Sequence, residues 1–414
     1  MSLTKESKEY YKSTDRKHRN AKGQFFTEDN VKSLALKGFN PPDGARILEN
    51  SCGSGEFIKA ILEVNPNVQV DGYDIEPGLV DICNKLYPTA NVVLQDFLKL
   101  THKPIYDFAV GNPPYFEMKK KDSKDLHDKY KSVLSGRANI YSMFFKASID
   151  SLKPGGQLIY VVPTSMNNGS YFKNLRKFII DSCNIDDITL LGDSEFEDVQ
   201  QNTMIIKLTK LKDGETNNGN FVFTTGDISI FSTKCDRLRE LSSVGKTLEQ
   251  LKFSVYTGNL VWNQQKASMS NDSNNKPLLW ASNIGEEKLD FPNQKLLKHG
   301  EKGQYVDDTS EEFTISELTE RSIVLNRVTG AGSNAKIRAA IVDFPDGYYT
   351  ENHVNYIVRE EECEYTLEQL LESLRSDETI EFIRMLTGNT QISKTELQKI
   401  IPFCLTKEEE QVIL

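Results

Sequence analysis

The 414-residue sequence lacks paired cysteines, clustered histidines and any long hydrophobic run. Its six cysteines lie far apart without a Cys-x-x-Cys motif, and its five histidines are scattered. This pattern argues against a disulfide framework and against a structural metal site. No segment approaches the roughly 18 apolar residues of a membrane span, and the first residues lack the apolar stretch of a signal peptide. We therefore expect a soluble, cytoplasmic protein with no membrane and no metal.

Positive charge is also scarce, since 50 Lys and Arg face 60 Asp and Glu, giving a net charge of −10. Affinity for nucleic acid comes largely from basic side chains that meet phosphates. Basic residues nevertheless gather in segments 5–22 and 321–338, where they form either a phosphate-binding face or ordinary solvated surface. The candidate nucleic-acid contacts in these segments are Lys17, Arg19, Arg327, Lys336 and Arg338.

Strand-like and helix-like segments alternate along the first half of the chain, which predicts an α/β sheet with helices on both faces. The predicted strands are 46–49, 68–74, 91–94, 106–111, 156–163, 186–191 and 202–208. The predicted helices are 28–38, 56–64, 78–86, 139–152 and 170–182. Ligands of such sheets bind at the carboxyl ends of the strands, where Gly53, Asp74, Asp96 and Asn112 all follow predicted strands.

A glycine-rich turn follows the first predicted strand. Gly53 and Gly55 allow a ligand to approach the backbone, but Ile58 stands where a dinucleotide fingerprint has its third glycine. About 20 residues further on, Asp74 ends a second strand at the spacing of a ribose-binding carboxylate. The pattern indicates a cofactor that has a ribose and needs no pyrophosphate site.

The tetrapeptide 112–115, Asn-Pro-Pro-Tyr, follows a short apolar strand. Its two prolines fix the turn and remove two backbone donors. The Asn112 amide oxygen and the Pro113 carbonyl can accept the two hydrogens of an exocyclic amino group, while Tyr115 can stack on a planar ring. Acceptors held in place favour the charge-developing nitrogen of a transition state. The alternative is a proline-rich turn that only closes a core strand.

In this order, these motifs resemble those of the gamma-class, S-adenosylmethionine-dependent DNA adenine-N6 methyltransferases of restriction-modification systems. The resemblance extends over about residues 20–210. Glu28 and Asn50 depart from the pattern, since a proline is usual at each position. The matching segments are 23–27, 49–57, 74–75, 95–97, 112–115, 139–145, 152–163 and 196–203.

The resemblance implies a role for each matching residue. The catalytic residues are Asn112, Pro113, Pro114 and Tyr115. Tyr115 and Phe196 stack on a target base that has been flipped out of the duplex. The cofactor S-adenosylmethionine is held by Phe26, Thr27, Glu49, Ser51, Cys52, Gly53, Gly55, Asp74, Ile75, Asp96 and Phe97.

We expect a doubly wound, mostly parallel, seven-stranded Rossmann-like sheet, followed by a mixed α+β domain that recognises the target. The expected domains are a basic arm at 1–20, a methyltransferase domain at 21–240 and a target-recognition domain at 241–414. A charged insertion at 117–138 is expected to fold over the target strand, with disorder as the alternative. The expected partner is double-stranded DNA, a cognate restriction endonuclease is a candidate partner, and the sequence leaves the oligomeric state open, with a monomer favoured.

Three other functions stay open at this point. A protein glutamine methyltransferase uses the same tetrapeptide on a planar amide, although its family lacks the 23–27 motif and a large C-terminal domain. An RNA adenine or guanine methyltransferase is chemically closer to a DNA adenine methyltransferase than the protein glutamine methyltransferase is. A DNA-binding specificity subunit without catalysis is the third, and the intact tetrapeptide argues against it.

Overall fold

The computed structural model describes residues 7, 9–10, 12, 14, 27–119, 121, 123–136, 139–191, 203–286, 288–293, 302–327, 337–386 and 392–405. The chain divides into two compact units. The first contains residues 1–224 and 229–235, and the second contains 225–228 and 236–414. No helix in the described ranges is long and apolar enough to cross a membrane.

The first unit is built on a seven-stranded sheet with the order β3-β2-β1-β4-β5-β7-β6. Strands β1 to β5 are parallel, while β7 runs antiparallel between β5 and β6. This confirms the predicted doubly wound, mostly parallel α/β fold. The strands are β1 Arg46–Glu49, β2 Gln69–Asp74, β3 Asn91–Leu94, β4 Tyr106–Gly111, β5 Leu152–Pro163, β6 Cys183–Leu190 and β7 Thr203–Lys210.

Helices cover both faces of this sheet. Those of the first unit are α1 Asp29–Ala35, α2 Glu56–Val64, α3 Pro77–Leu86, α4 Lys124–Lys129, α5 Ile140–Ser151 and α6 Lys173–Ser182. They agree with the predicted helices to within a few residues, except that α4 lies in the charged insertion, where no helix was predicted. A hairpin of β8 Val222–Thr225 and β9 Ile228–Phe231 follows β7.

The apolar faces of these helices explain their positions. In α2, Phe57, Ile58 and Ile61 recur at helical spacing and are buried against one face of the sheet. Helix α5 is buried almost all round, with Tyr141 and Phe145 in the core on the opposite face. Because β1, β2, β3 and β4 are parallel and adjacent, their carboxyl ends meet along one edge, and the loops that follow them form the site described below.

The second unit is mixed α+β, as predicted. One four-stranded sheet has the order β10-β17-β14-β15, and another has the order β11-β13-β12-β16. The strands are β10 Phe253–Thr257, β11 Met269–Ser270, β12 Lys276–Leu279, β13 Tyr305–Val306, β14 Ser322–Asn326, β15 Ala339–Val342, β16 Tyr349–Thr350 and β17 Val354–Arg359. The helices are α7 Cys235–Val244, α8 Leu248–Leu251, α9 Leu367–Leu374, α10 Asp377–Leu386 and α11 Lys394–Lys399.

Candidate cofactor and methyl-transfer site

The glycine turn between β1 and α2 is held by the carboxylate that ends β2. Gly53 (φ 54°) and Gly55 (φ 80°) have left-handed backbones, which side chains disfavour. At Gly55 a Cβ would also lie 2.6 Å from the ring of Tyr87. Asp74 accepts a hydrogen bond from the Gly53 N–H at 2.8 Å and another from the Glu76 N–H at 2.9 Å. The Asp74 carboxylate therefore ties the loop that follows β1 to the end of β2.

A cavity of about 560 Å³ opens above this loop. It brings together predicted residues from the ends of four neighbouring strands, which are far apart in the sequence. The predicted residues that line it are Thr27, Glu49, Ser51, Cys52, Gly53, Asp74, Ile75, Asp96, Phe97, Asn112 and Pro114. Gly55 caps the N-terminus of α2 beside it.

Three consecutive polar residues give the cavity a polar end. Glu49 is 2 % exposed, Asn50 is 3 % exposed, and both line the cavity next to Ser51. Glu49 Oε2, Asn50 Oδ1 and Ser51 Oγ are buried without a hydrogen-bond partner among the described residues. Burial raises the pKa of Glu49 well above its ordinary value, and neighbouring Cys83 and Asp74 add to this. Buried polar atoms are normally paired, so the acceptor oxygens of Glu49 and Asn50 suit the ammonium group of a bound amino acid, and the Ser51 hydroxyl can donate to its carboxylate.

The other end of the cavity is apolar. Ile75 is 53 % exposed, while Phe97 and Leu98 are buried beside it. Asp96 accepts a hydrogen bond from the Leu98 N–H at 3.1 Å and so fixes the short turn that follows β3. Burial raises the pKa of Asp74, which lies between the two ends. The polar group at 49–51, the Asp74 carboxylate and the apolar residues beside Phe97 fit, in that order, the methionine, ribose and adenine of S-adenosylmethionine.

The tetrapeptide 112–115, which was predicted to be catalytic, follows β4, and its residues Asn112 and Pro114 line the cavity. Asn112 donates through Nδ2 to Thr27 Oγ1 at 3.1 Å, and its Oδ1 accepts from the Tyr115 hydroxyl. The Tyr115 hydroxyl also reaches the Val161 carbonyl at 2.7 Å, and the half-buried ring packs edge-on against Tyr141. Burial raises the pKa of Tyr115. The amide is therefore fixed at both ends before any target arrives.

Sequence reasoning missed three contacts in this site. Thr27, predicted only as a cofactor residue, also orients Asn112. Asn50, noted only as a departure from the usual proline, donates to Ser148 Oγ at 2.5 Å and to the Tyr160 hydroxyl at 2.6 Å. All three contacts join segments more than 80 residues apart, so no local pattern signals them.

Several predicted residues lie elsewhere. Arg327 donates to the Asn352 carbonyl at 3.0 Å, and the Arg338 N–H donates to Asn326 Oδ1 at 2.7 Å, both within the second unit. The cavity residues do not include them. Lys17, Arg19, Phe26, Phe196 and Lys336 fall outside the described residues.

The sheet order and the loop at its carboxyl edge define a Rossmann-like methyltransferase whose cofactor is S-adenosylmethionine. Comparisons with known proteins narrow the class. Residues 69–196 match the Eco57I restriction-modification methylase family. The chain is also similar to the type II methyltransferase M.CvrRI of Paramecium bursaria Chlorella virus XZ-6E, with 24% identity over 400 residues, covering 96% of this chain and 98% of that protein.

Two further similarities are partial. The modification methylase CviBIII of Paramecium bursaria Chlorella virus NC1A is 32% identical over 183 residues, which cover 43% of this chain and 47% of that protein. A solved class I S-adenosylmethionine-dependent methyltransferase from Listeria monocytogenes aligns with a TM-score of 0.43 and 21% identity, over 51% of this chain and 67% of that one. The family match and the two viral relatives confirm the resemblance to the methyltransferases of restriction-modification systems, with the family match confined to residues 69–196.

Proposed function

We propose that this protein is a site-specific DNA adenine-N6 methyltransferase. It transfers the methyl group of S-adenosylmethionine to the exocyclic amino group of an adenine in duplex DNA. The observation that carries the proposal is the position of Asn112 and Pro114 at the rim of the cavity whose other walls hold the cofactor loop. A planar amino substrate at this turn lies directly beside the methyl donor.

S-adenosylmethionine supplies a methyl group bonded to positively charged sulfur. The protein's task is therefore to position the nitrogen and to favour its charged, pyramidal form. Asn112 Oδ1 and the Pro113 carbonyl accept the two amino hydrogens. Thr27 Oγ1 accepts from the Nδ2 of Asn112, so the acceptor oxygen Oδ1 of the same amide points away from Thr27. Without substrate, Oδ1 accepts from the Tyr115 hydroxyl. When the substrate binds, its amino group replaces that hydroxyl as the donor.

An adenine inside a duplex cannot reach this turn, so it must be flipped out of the stack. Tyr115, which follows the turn, is the first proposed stacking residue and would turn towards the flipped base once its hydroxyl is released. Phe196 is the second proposed stacking residue. Flipping costs a few kcal/mol, and aromatic stacking offsets part of that cost.

The remaining assignments follow from this reaction. Asn112, Pro113, Pro114 and Tyr115 are the catalytic residues, and the cavity residues bind the cofactor. The region 241–414 selects the target sequence, and the basic arm at 1–20 contacts phosphates. The protein acts as a monomer in the cytoplasm, with double-stranded DNA as substrate and a cognate restriction endonuclease as partner in the same system.

The test is methyl transfer from labelled S-adenosylmethionine to three acceptors: duplex DNA, RNA and a protein release factor. Transfer to duplex DNA alone, with the label recovered as N6-methyladenine after digestion, supports the proposal. Label on RNA or on protein glutamine would assign the activity to one of the other methyltransferase classes. Cofactor binding with no transfer to any acceptor would indicate a specificity subunit without catalysis.

A further inference from the structure

The segment 116–134 directly after the proposed catalytic turn is called here the post-catalytic loop, and the structure describes it except for residues 120 and 122. The Ile140 N–H donates to the Phe116 carbonyl at 3.0 Å, and Glu117 forms a β-bridge with Asn139. The His127 ring lies 3.0 Å from the Met118 carbonyl. These contacts hold the start of the loop against the beginning of α5 and against α4.

This loop docks onto the turn that follows β3. Lys129 donates through Nζ to the Leu98 carbonyl at 2.7 Å and to the Leu100 carbonyl at 2.5 Å. The Tyr130 hydroxyl donates to the Leu98 carbonyl at 2.8 Å. The carbonyls at the end of a short helical turn have no partners inside it, so the two side chains supply them from outside.

Buried apolar contacts and a neutral histidine also stabilise the contact between the loop and the turn. Tyr130 is 1 % exposed, and Leu126, Tyr130 and Val133 belong to the same buried cluster as Phe97. His102 Nε2 lies 2.8 Å from the Tyr130 hydroxyl, and the His102 ring is 4.8 Å from that of Phe97. Burial lowers the pKa of His102 to about 4, so the ring is neutral at pH 7. Since the Tyr130 hydroxyl donates to Leu98, the Nε2–H of His102 donates to the Tyr130 oxygen.

The docked loop forms one wall of the cavity. Met118, Ser123 and Leu126 line it from the loop, together with Phe97 and Leu98 from the turn. This part of the lining is mostly apolar, unlike the polar group at 49–51. A flat, weakly polar ring system fits against such a surface.

We propose that the post-catalytic loop belongs to the cofactor site, and that Lys129 and Tyr130 are positioning residues that hold the 96–100 turn against the adenosine of S-adenosylmethionine. The loop was expected to cover the target strand, and its contacts assign it to the other substrate. This inference rests on the assigned cofactor but not on the identity of the methyl acceptor.

The test compares Lys129→Met, Tyr130→Phe and the matched control Lys131→Met. Lys131 is exposed two residues away, and its substitution removes the same charge. Calorimetry would measure binding of S-adenosylhomocysteine and of adenosine, and kinetics would measure KM for the cofactor and kcat. A net hydrogen bond contributes about 0.5–1.5 kcal/mol, so each test variant should weaken both ligands by about two- to tenfold. We expect kcat and DNA affinity to equal those of the control.

Three results would overturn the inference. Unchanged binding of both ligands would show that the dock does not hold the turn. Weaker binding of S-adenosylhomocysteine with unchanged adenosine would place the loop at the amino-acid end. Weaker DNA binding with unchanged cofactor KM would assign the loop to the target strand. A parent protein that binds S-adenosylhomocysteine but methylates no DNA would contradict the proposed function alone, because the binding comparison can still be made.

Discussion

The two units of this protein use their buried polar side chains in different ways. In the first unit, Glu49, Asn50 and Ser51 are adjacent, and each has a buried oxygen without a partner in the described chain. In the second unit, buried amides serve the backbone: Asn283 accepts from the Trp280 N–H at 2.8 Å and donates to the Asp290 carbonyl at 2.9 Å. The first arrangement is prepared for a ligand, whereas the second stabilises the fold.

Unpaired buried atoms occur in the second unit as well, but they do not converge. Those of Gln304, Arg327 and Ser373 belong to three separate segments of the chain, and only Ser373 lies within a helix. Convergence on a cavity, rather than the mere presence of unpaired atoms, therefore distinguishes a small-molecule site. A surface that reads DNA has no need of a cavity, since its contacts come from exposed side chains that meet phosphates and base edges.

The largest expected effect is at the catalytic turn. Asn112→Ala should lower the rate of methyl transfer by about 10²–10³, because it removes one preorganised acceptor of the amino group. Single-turnover transfer would measure the rate, and calorimetry should find S-adenosylhomocysteine bound as in the parent. Asn218→Ala, in an exposed loop of the same unit, is the control. A parental rate in Asn112→Ala would reduce Asn112 to a turn residue.

The next largest effect is at the ribose end of the site. Asp74→Ala should weaken cofactor binding by about 1.5–3 kcal/mol, or about 10- to 150-fold in Kd, because a charge-assisted hydrogen bond is lost. The Gly53 N–H also loses its acceptor, so Asp74→Asn, which keeps one acceptor oxygen, should have a smaller effect. Calorimetry with an unchanged Kd for Asp74→Ala would move the cofactor site elsewhere.

The second unit should respond differently, in specificity rather than in chemistry. Arg338→Met should weaken binding to all duplexes alike and flatten its salt dependence, as loss of a phosphate contact does. Arg327→Met should relax the choice of base at one position, at a cost of about 1–3 kcal/mol. Competition among duplexes at two salt concentrations, with Arg239→Met as a charge-matched control, separates the two outcomes. No change in either variant would mean that this segment does not touch DNA.

The smallest effect is a pH dependence of stability. Since the pKa of Glu49 is raised in the folded protein, its contribution to stability is complete below the unfolded value of about 4.5 and is lost as pH rises through the folded value. Glu49→Gln should flatten this fall, by up to about 1.4 kcal/mol per pH unit. Urea unfolding at several pH values measures it, with the exposed Glu63→Gln as control. If the unfolding free energies of the parent, Glu49→Gln and Glu63→Gln changed with pH in parallel, the raised pKa of Glu49 would be contradicted. Any slope that remains in Glu49→Gln is attributed to Asp74, whose pKa is also raised.

The seven-stranded sheet and the loops at its carboxyl edge could be predicted well from the sequence because each motif is local. Gly53, Asp74 and Asn112 all follow strands directly, and parallel neighbouring strands bring their ends together. The docking of the post-catalytic loop depends on contacts between separate segments. Leu126, Tyr130 and Val133 stand at i, i+4 and i+7, a spacing that could have signalled a buried face in that charged loop, although it does not show which surface the face contacts.

The second unit was harder to predict for a physical reason. Its short strands are joined by irregular loops, and asparagines in such loops either cap backbone groups or contact a ligand. Asn326 is an example of the first kind, since its Oδ1 accepts from the Arg338 N–H. That this unit reads DNA, and which side chains do so, stays a prediction.

The measurement that bears most directly on the central claim is base-resolution sequencing of adenine methylation in a host that expresses the protein. We predict N6-methyladenine at one recurrent short sequence in cells with the parent protein, and its loss in cells with Asn112→Ala expressed at the same level. Genomic adenines that remain unmodified in cells with active, cofactor-binding protein would contradict the assignment of this chain as a DNA adenine methyltransferase.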